Sequence, residues 1–142
     1  MIIAAGYKRT SILAAAIVLS LATTTTAFAA CSDPAAQSVD WSGCDKSKTD
    51  LKGAFLTAAI LHGTNLSNAN LSGAALQDAI LTGADLTGAN LTGADLFAAE
   101  LPDAILTGAD LTGVNLTGAG LSHAIWTDGM KVCAEGSVGE CK

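Results

Sequence analysis

Residues 81 to 100 read LTGADLTGANLTGADLFAAE, and the unit recurs every five residues. Five matches neither the helix period of 3.6 nor the strand period of 2. On a helix, leucines five apart advance by about 500° and drift around the surface instead of forming a stripe. On a flat strand an odd period puts successive leucines on opposite faces. One bend per unit removes the conflict, because every leucine can then point inward. Four bends close a square coil of twenty residues.

The register is long and unbroken. Leucine fills the centre of each unit at Leu51, Leu56, Leu61, Leu66, Leu71, Leu76, Leu81, Leu86, Leu91, Leu96, Leu101, Leu106, Leu111, Leu116 and Leu121, and Trp126 takes the next centre. Alanine sits two residues before most centres, with Thr49, Thr64 and Val114 as exceptions. The pattern spans 49–128, enough for about four coils. At a spacing of about 4.8 Å, such a stack is only about 19 Å long. Leu56 through Leu121 are the expected core. Gly63, Gly73, Gly83, Gly88, Gly93, Gly108, Gly113 and Gly118 are placed to ease corners. The Thr and Ser residues just after a leucine are expected on extended, partly exposed backbone. Open ends need covers. Residues 30–48, with Trp41, and 129–142, preceded by Trp126 and the turn signal Asp128-Gly129, are the expected caps.

ADLTG at 84–88 and 109–113 and ANLTG at 89–93 resemble the unit of the pentapeptide-repeat family. The resemblance covers 49–128. It implies an all-β, right-handed quadrilateral β-helix. Some members of the family resemble a DNA duplex in shape and charge and act on DNA gyrase or topoisomerase.

The first 29 residues have the layout of an export signal. Lys8 and Arg9 precede an apolar run from Ser11 to Leu21, and Ala27-Phe28-Ala29 fits small-x-small cleavage. The run is too short for an ordinary membrane span. Removing the leader changes the net charge from -6 to -8, since Lys8 and Arg9 leave with it and no acid does. Such a surface repels nucleic acid and anionic lipid. Cys31, Cys44, Cys133 and Cys141 all lie outside the repeats. An even count in an exported chain implies two disulfides, in one of three pairings, of which local pairing closes a short loop at each end. Cleavage directly before Cys31 would instead expose a cysteine to lipid attachment.

The twenty-residue coil makes vertical neighbours of residues twenty apart, so chemistry can be sought by arithmetic. His62 and His123 fall about three coils apart, roughly 14 Å, and cannot share a metal. His123 lies over Asp103. No acids within the repeats are twenty apart, so no catalytic carboxylate pair is built in. Neither a cofactor nor a metal is expected. Phe55, Ile60, Ile80, Phe97, Ile105 and Ile125 occupy outward positions and form a candidate interface for a partner or a second copy. The expected function is a non-catalytic, periplasmic or secreted module that binds a protein or envelope component and not nucleic acid. A DNA-mimic acting on gyrase and a lipid-anchored envelope protein are the alternatives, the membrane entering only through a lipid on Cys31.

Overall fold

The structure, a computed structural model, describes residues 31–142. The expected leader lies outside the described residues. From Ser38 to His123 every fifth residue has a positive φ, between 54° and 74°. The unit Leu86-Thr87-Gly88-Ala89 shows why. Ala89 N–H donates to Leu86 O at 3.0 Å, which closes a four-residue turn, and Gly88 takes φ 65° at its third position. A positive φ there is the type II signature. The residue after each leucine, most often Ser or Thr, therefore belongs to the turn and not to extended backbone, which corrects the expectation.

Between corners each side is short. Asp85 bridges Asn65 on one side and Ile105 on the other, both in parallel, and the same twenty-residue step joins residues from Asp40↔Ile60 to Ile105↔Ile125. Leu86 N–H donates forward to Ile105 O at 2.7 Å, while Asp85 N–H donates back to Thr64 O at 3.0 Å. The four sides present four outward columns. The first holds Asp40, Ile60, Ile80, Glu100 and Gly120, and the second Asp45, Asn65, Asp85, Ile105 and Ile125. The third holds Asp50, Asn70, Asn90 and Asp110, and the fourth Phe55, Ala75, Asp95 and Asn115. The described residues contain single-residue bridges where an all-β fold would have continuous strands. A turn on either side of every bridge leaves no room for a longer ladder.

Leu56 to Leu106 and Leu121 are at most 1% exposed, and alanines such as Ala84 and Ala104 fill the space between them. Each buried leucine contributes roughly 1.5–3 kcal/mol, offset by the ordering of its unit. Thr64, in an alanine position, is fully buried, and its hydroxyl donates to Trp41 O at 2.7 Å. That bond removes the penalty of a buried polar group.

The lattice reaches back past the expected boundary at 49. Asp40 and Asp45 already bridge Ile60 and Asn65. Val39 and Cys44 take alanine positions, and Trp41 and Lys46 take leucine positions. Trp41 is 1% exposed and its Nε1 donates to Asp33 O. Lys46 cannot enter the core, so its Nζ lies 3.8 Å from the Trp41 ring centroid and donates to Cys31 O. At the other end Asp128 accepts from Met130 N and Lys131 N, turning the chain back. The return segment pairs antiparallel with the last coil, Val132 against Ile125 and Val138 against Gly120. Disulfides Cys31–Cys44 and Cys133–Cys141 fasten the two ends.

Eight corners carry a residue other than glycine, Ala98 at φ 55° among them. A Cβ in this region costs roughly 1–2 kcal/mol, partly offset by the lower unfolded-state entropy of alanine. Ala98→Gly is expected to raise stability by about 0.5–1 kcal/mol in denaturant unfolding, and a loss of stability would contradict the corner geometry.

Candidate interaction surface

Most outward acids and amides are engaged with the backbone. Asp85 Oδ1 accepts from Thr87 N, Asp110 Oδ1 from Thr112 N, and Asn90 Oδ1 from both Thr92 N and Thr92 Oγ1. The same bond from the residue two ahead recurs at Asp40, Asp45, Asp50, Asn65, Asn70, Asp95 and Asn115. Each bond gives a partner to a corner N–H that the inter-coil ladder does not reach. The repeating Asp or Asn two residues before Ser or Thr is the sequence signal of this role.

Side chains also connect the coils. Asn70 Nδ2 donates to Asp50 Oδ1 at 3.0 Å. On the fourth side Thr57 Oγ1 donates to Gln77 Oε1, Gln77 Nε2 to Asp95 Oδ2, and Asn115 Nδ2 to Asp95 Oδ1. Alternating acid with amide gives Asp50 and Asp95 a donor in place of a second negative charge. His123 Nδ1 lies 3.8 Å from Asp103 Oδ1, with both side chains largely exposed. Among the described residues, no group of three or more His, Cys, Asp and Glu is placed to hold a metal.

The six outward apolar residues fall on three sides. Ile60 and Ile80 adjoin on the first, between Asp40 and Glu100. Phe55 is on the fourth, 75% exposed, and Phe97, 47% exposed, lies two coils on at the corner that follows that side. Ile105 and Ile125 adjoin on the second, where the return segment extends their column with Val132. Val132, Val138 and Met130 are exposed as well. Sequence reasoning missed these three because the antiparallel return has no five-residue signature.

The family model for pentapeptide repeats matches in eight copies, over 37–68, 59–96, 69–106 and 89–125. The chain belongs to the pentapeptide-repeat family. Among solved structures it is similar to the pentapeptide repeat protein Rfr23 of the cyanobacterium Cyanothece 51142, at 43% identity and a TM-score of 0.60. That match covers 61% of this chain and 58% of the relative, so the chain spans little more than half of the relative's length. A pentapeptide repeat protein of the Arabidopsis thaliana thylakoid lumen matches at 29% identity over 73% of this chain and 83% of its own, with a TM-score of 0.33. QnrB1, a plasmid-mediated fluoroquinolone resistance protein, matches at 22% identity over 63% of this chain and 54% of its own, with a TM-score of 0.35. No curated protein matches the sequence.

The turn hydrogen bonds have a pH signature. The Ser42 hydroxyl and backbone N–H hold Asp40 below the usual carboxylate range, and the Thr112 hydroxyl and N–H do the same for Asp110. Backbone N–H of Ser47 lowers Asp45, and those of Lys131 and Met130 lower Asp128. A carboxyl lowered by folding adds stability above its unfolded value, about 3.9, and loses it as pH falls through the folded value. The melting temperature is expected to change little from pH 7 to about 5 and to fall below about 4. Asp110→Asn keeps the turn acceptor and should flatten that fall. A melting temperature that rises on acidification would contradict the assignment.

Proposed function

We propose that this pentapeptide-repeat protein is an exported, non-catalytic scaffold whose outer surface binds a protein or another component of the cell envelope. The observation that carries the reading is the pair of end disulfides, Cys31–Cys44 and Cys133–Cys141. Disulfides persist in oxidising compartments and are rare in the cytosol. The leader pattern over residues 1–29 supports the same location. In this reading the scaffold is a right-handed quadrilateral β-helix of about four coils.

The scaffold is non-catalytic in this reading, because its reactive side chains are already in structural use. The carboxylates and hydroxyls that would serve chemistry close corners and link coils. The isoleucine columns Ile60–Ile80 and Ile105–Ile125 suit a partner or a second copy. A net charge of -6, or -8 without the leader, disfavours direct contact with nucleic acid. Lipid attachment at Cys31 uses the same sulfur as the bond to Cys44, so a lipid-anchored form would forgo that disulfide. A DNA mimic acting on gyrase would need the chain in the cytoplasm.

Intact mass of the protein recovered from fractionated cells tests the reading. The expected species is periplasmic or secreted, begins near Ala30, and is four hydrogens lighter than the reduced chain. An unprocessed, reduced cytoplasmic chain would overturn it in favour of the gyrase alternative. A chain beginning at Cys31 with added acyl mass would replace the soluble scaffold with the lipid-anchored form.

A further inference from the structure

The last coil is covered on two of its four sides. The return segment satisfies five backbone groups there. Leu121 N donates to Ser137 O, His123 N to Cys133 O and Trp126 N to Lys131 O, while Ala119 O accepts from Gly139 N and Ala124 O from Cys133 N. Move each of these five groups back by ten residues. Leu111 N, Gly113 N, Leu116 N, Ala109 O and Val114 O are the same groups on the other two sides of the coil. None of them has a hydrogen-bond partner among the described residues. The core beneath is also less covered. Leu111, Val114 and Leu116 are only partly buried, whereas the inner leucines are at most 1% exposed.

The return segment also limits what fits. It stands one layer above the last coil on its own two sides. A second coil stacked squarely on this end would collide with it. Level with the return segment, each open side has room for one extended segment, in a layer about 4.8 Å above the coil.

We propose that this half-open end is a docking edge for an extended segment of a partner polypeptide, added antiparallel as the return segment is. Addition of a strand to an exposed edge draws its affinity from main-chain hydrogen bonds and its specificity from alternate side chains. The bound return segment shows what those side chains must be. Its inward residues, Cys133 and Ser137, are small and 1% exposed, and its outward residues, Val132 and Val138, are more than half exposed. A partner segment therefore carries small residues over Leu111 and Val114, the positions equivalent to those that Ser137 and Cys133 cover. A Lys or Arg opposite Asp110 suits the acidic surface. The proposal rests on the scaffold reading and says where one partner binds. Export is read separately by intact mass, so failure of one test leaves the other standing.

The test uses the full, oxidised chain labelled with 15N and a synthetic peptide copying residues 131–139 with Cys133→Ser. That sequence already fits the equivalent edge. In the free protein the amides of Leu111, Gly113 and Leu116 should exchange fast with solvent. On titration they should show saturable shifts and slowed exchange, while those of Leu121, His123 and Trp126 stay put. A peptide N-methylated at the positions of residues 133 and 139 loses the two bonds it donates and should lose the saturable shifts. Three results would each overturn the proposal: no shift at the open amides, equal binding by the N-methylated peptide, or amides already slow to exchange without peptide. The last result would mean that the chain itself or a second copy fills the edge.

Discussion

Backbone hydrogen bonds between neighbouring coils hold this molecule together, and they exist only because the chain turns at every fifth residue. The turn sets the inward direction of leucine and alanine. It also aligns each side beneath the next, so that Leu86 N meets Ile105 O and Asp85 N meets Thr64 O. Neither contribution suffices alone. A corner with φ near 60° is unfavourable for any residue with a Cβ, and the ladder holds eight such residues there. The core is narrow, yet burial of leucine after leucine is enough when each unit adds the same small surplus.

The outer surface follows from the same constraint. The turn leaves a corner N–H without an inter-coil partner, and where Asp or Asn precedes the leucine its side chain supplies one. Most of the acidity on these four sides is therefore part of the backbone's hydrogen-bond accounting. What distinguishes one part of the surface from another is where the pattern breaks. Isoleucine replaces Asp or Asn on two sides, phenylalanine interrupts a third, and the last coil is closed over only half its circumference. Recognition by such a scaffold has to be sought at these breaks.

Much of this was legible in the sequence. The leucine register, the twenty-residue step and the glycine corners follow from a period that suits neither helix nor strand. The start of the lattice was not legible, because Val39, Trp41, Cys44 and Lys46 have none of the usual residue types. They keep the register through backbone geometry, with Ser38, Gly43 and Lys48 at the corners. The antiparallel return was hidden for a different reason. Its pairing is set by the Asp128 turn and the Cys133–Cys141 bond, and neither repeats. The six outward apolar residues could be assigned to sides by arithmetic. Their column with Val132 and the open edge depend on where the return segment stops.

The most direct test of the central claim is detection of scalar coupling across the inter-coil hydrogen bonds in the labelled protein. The twenty-residue lattice predicts that Leu86 N correlates with the carbonyl of Ile105, Leu91 N with that of Asp110, and Asp85 N with that of Thr64. Correlations of Leu86 N or Leu91 N with the carbonyl four residues earlier would mean a helix. A consistent offset of five residues would mean a coil with the wrong number of sides. Either result would contradict the account.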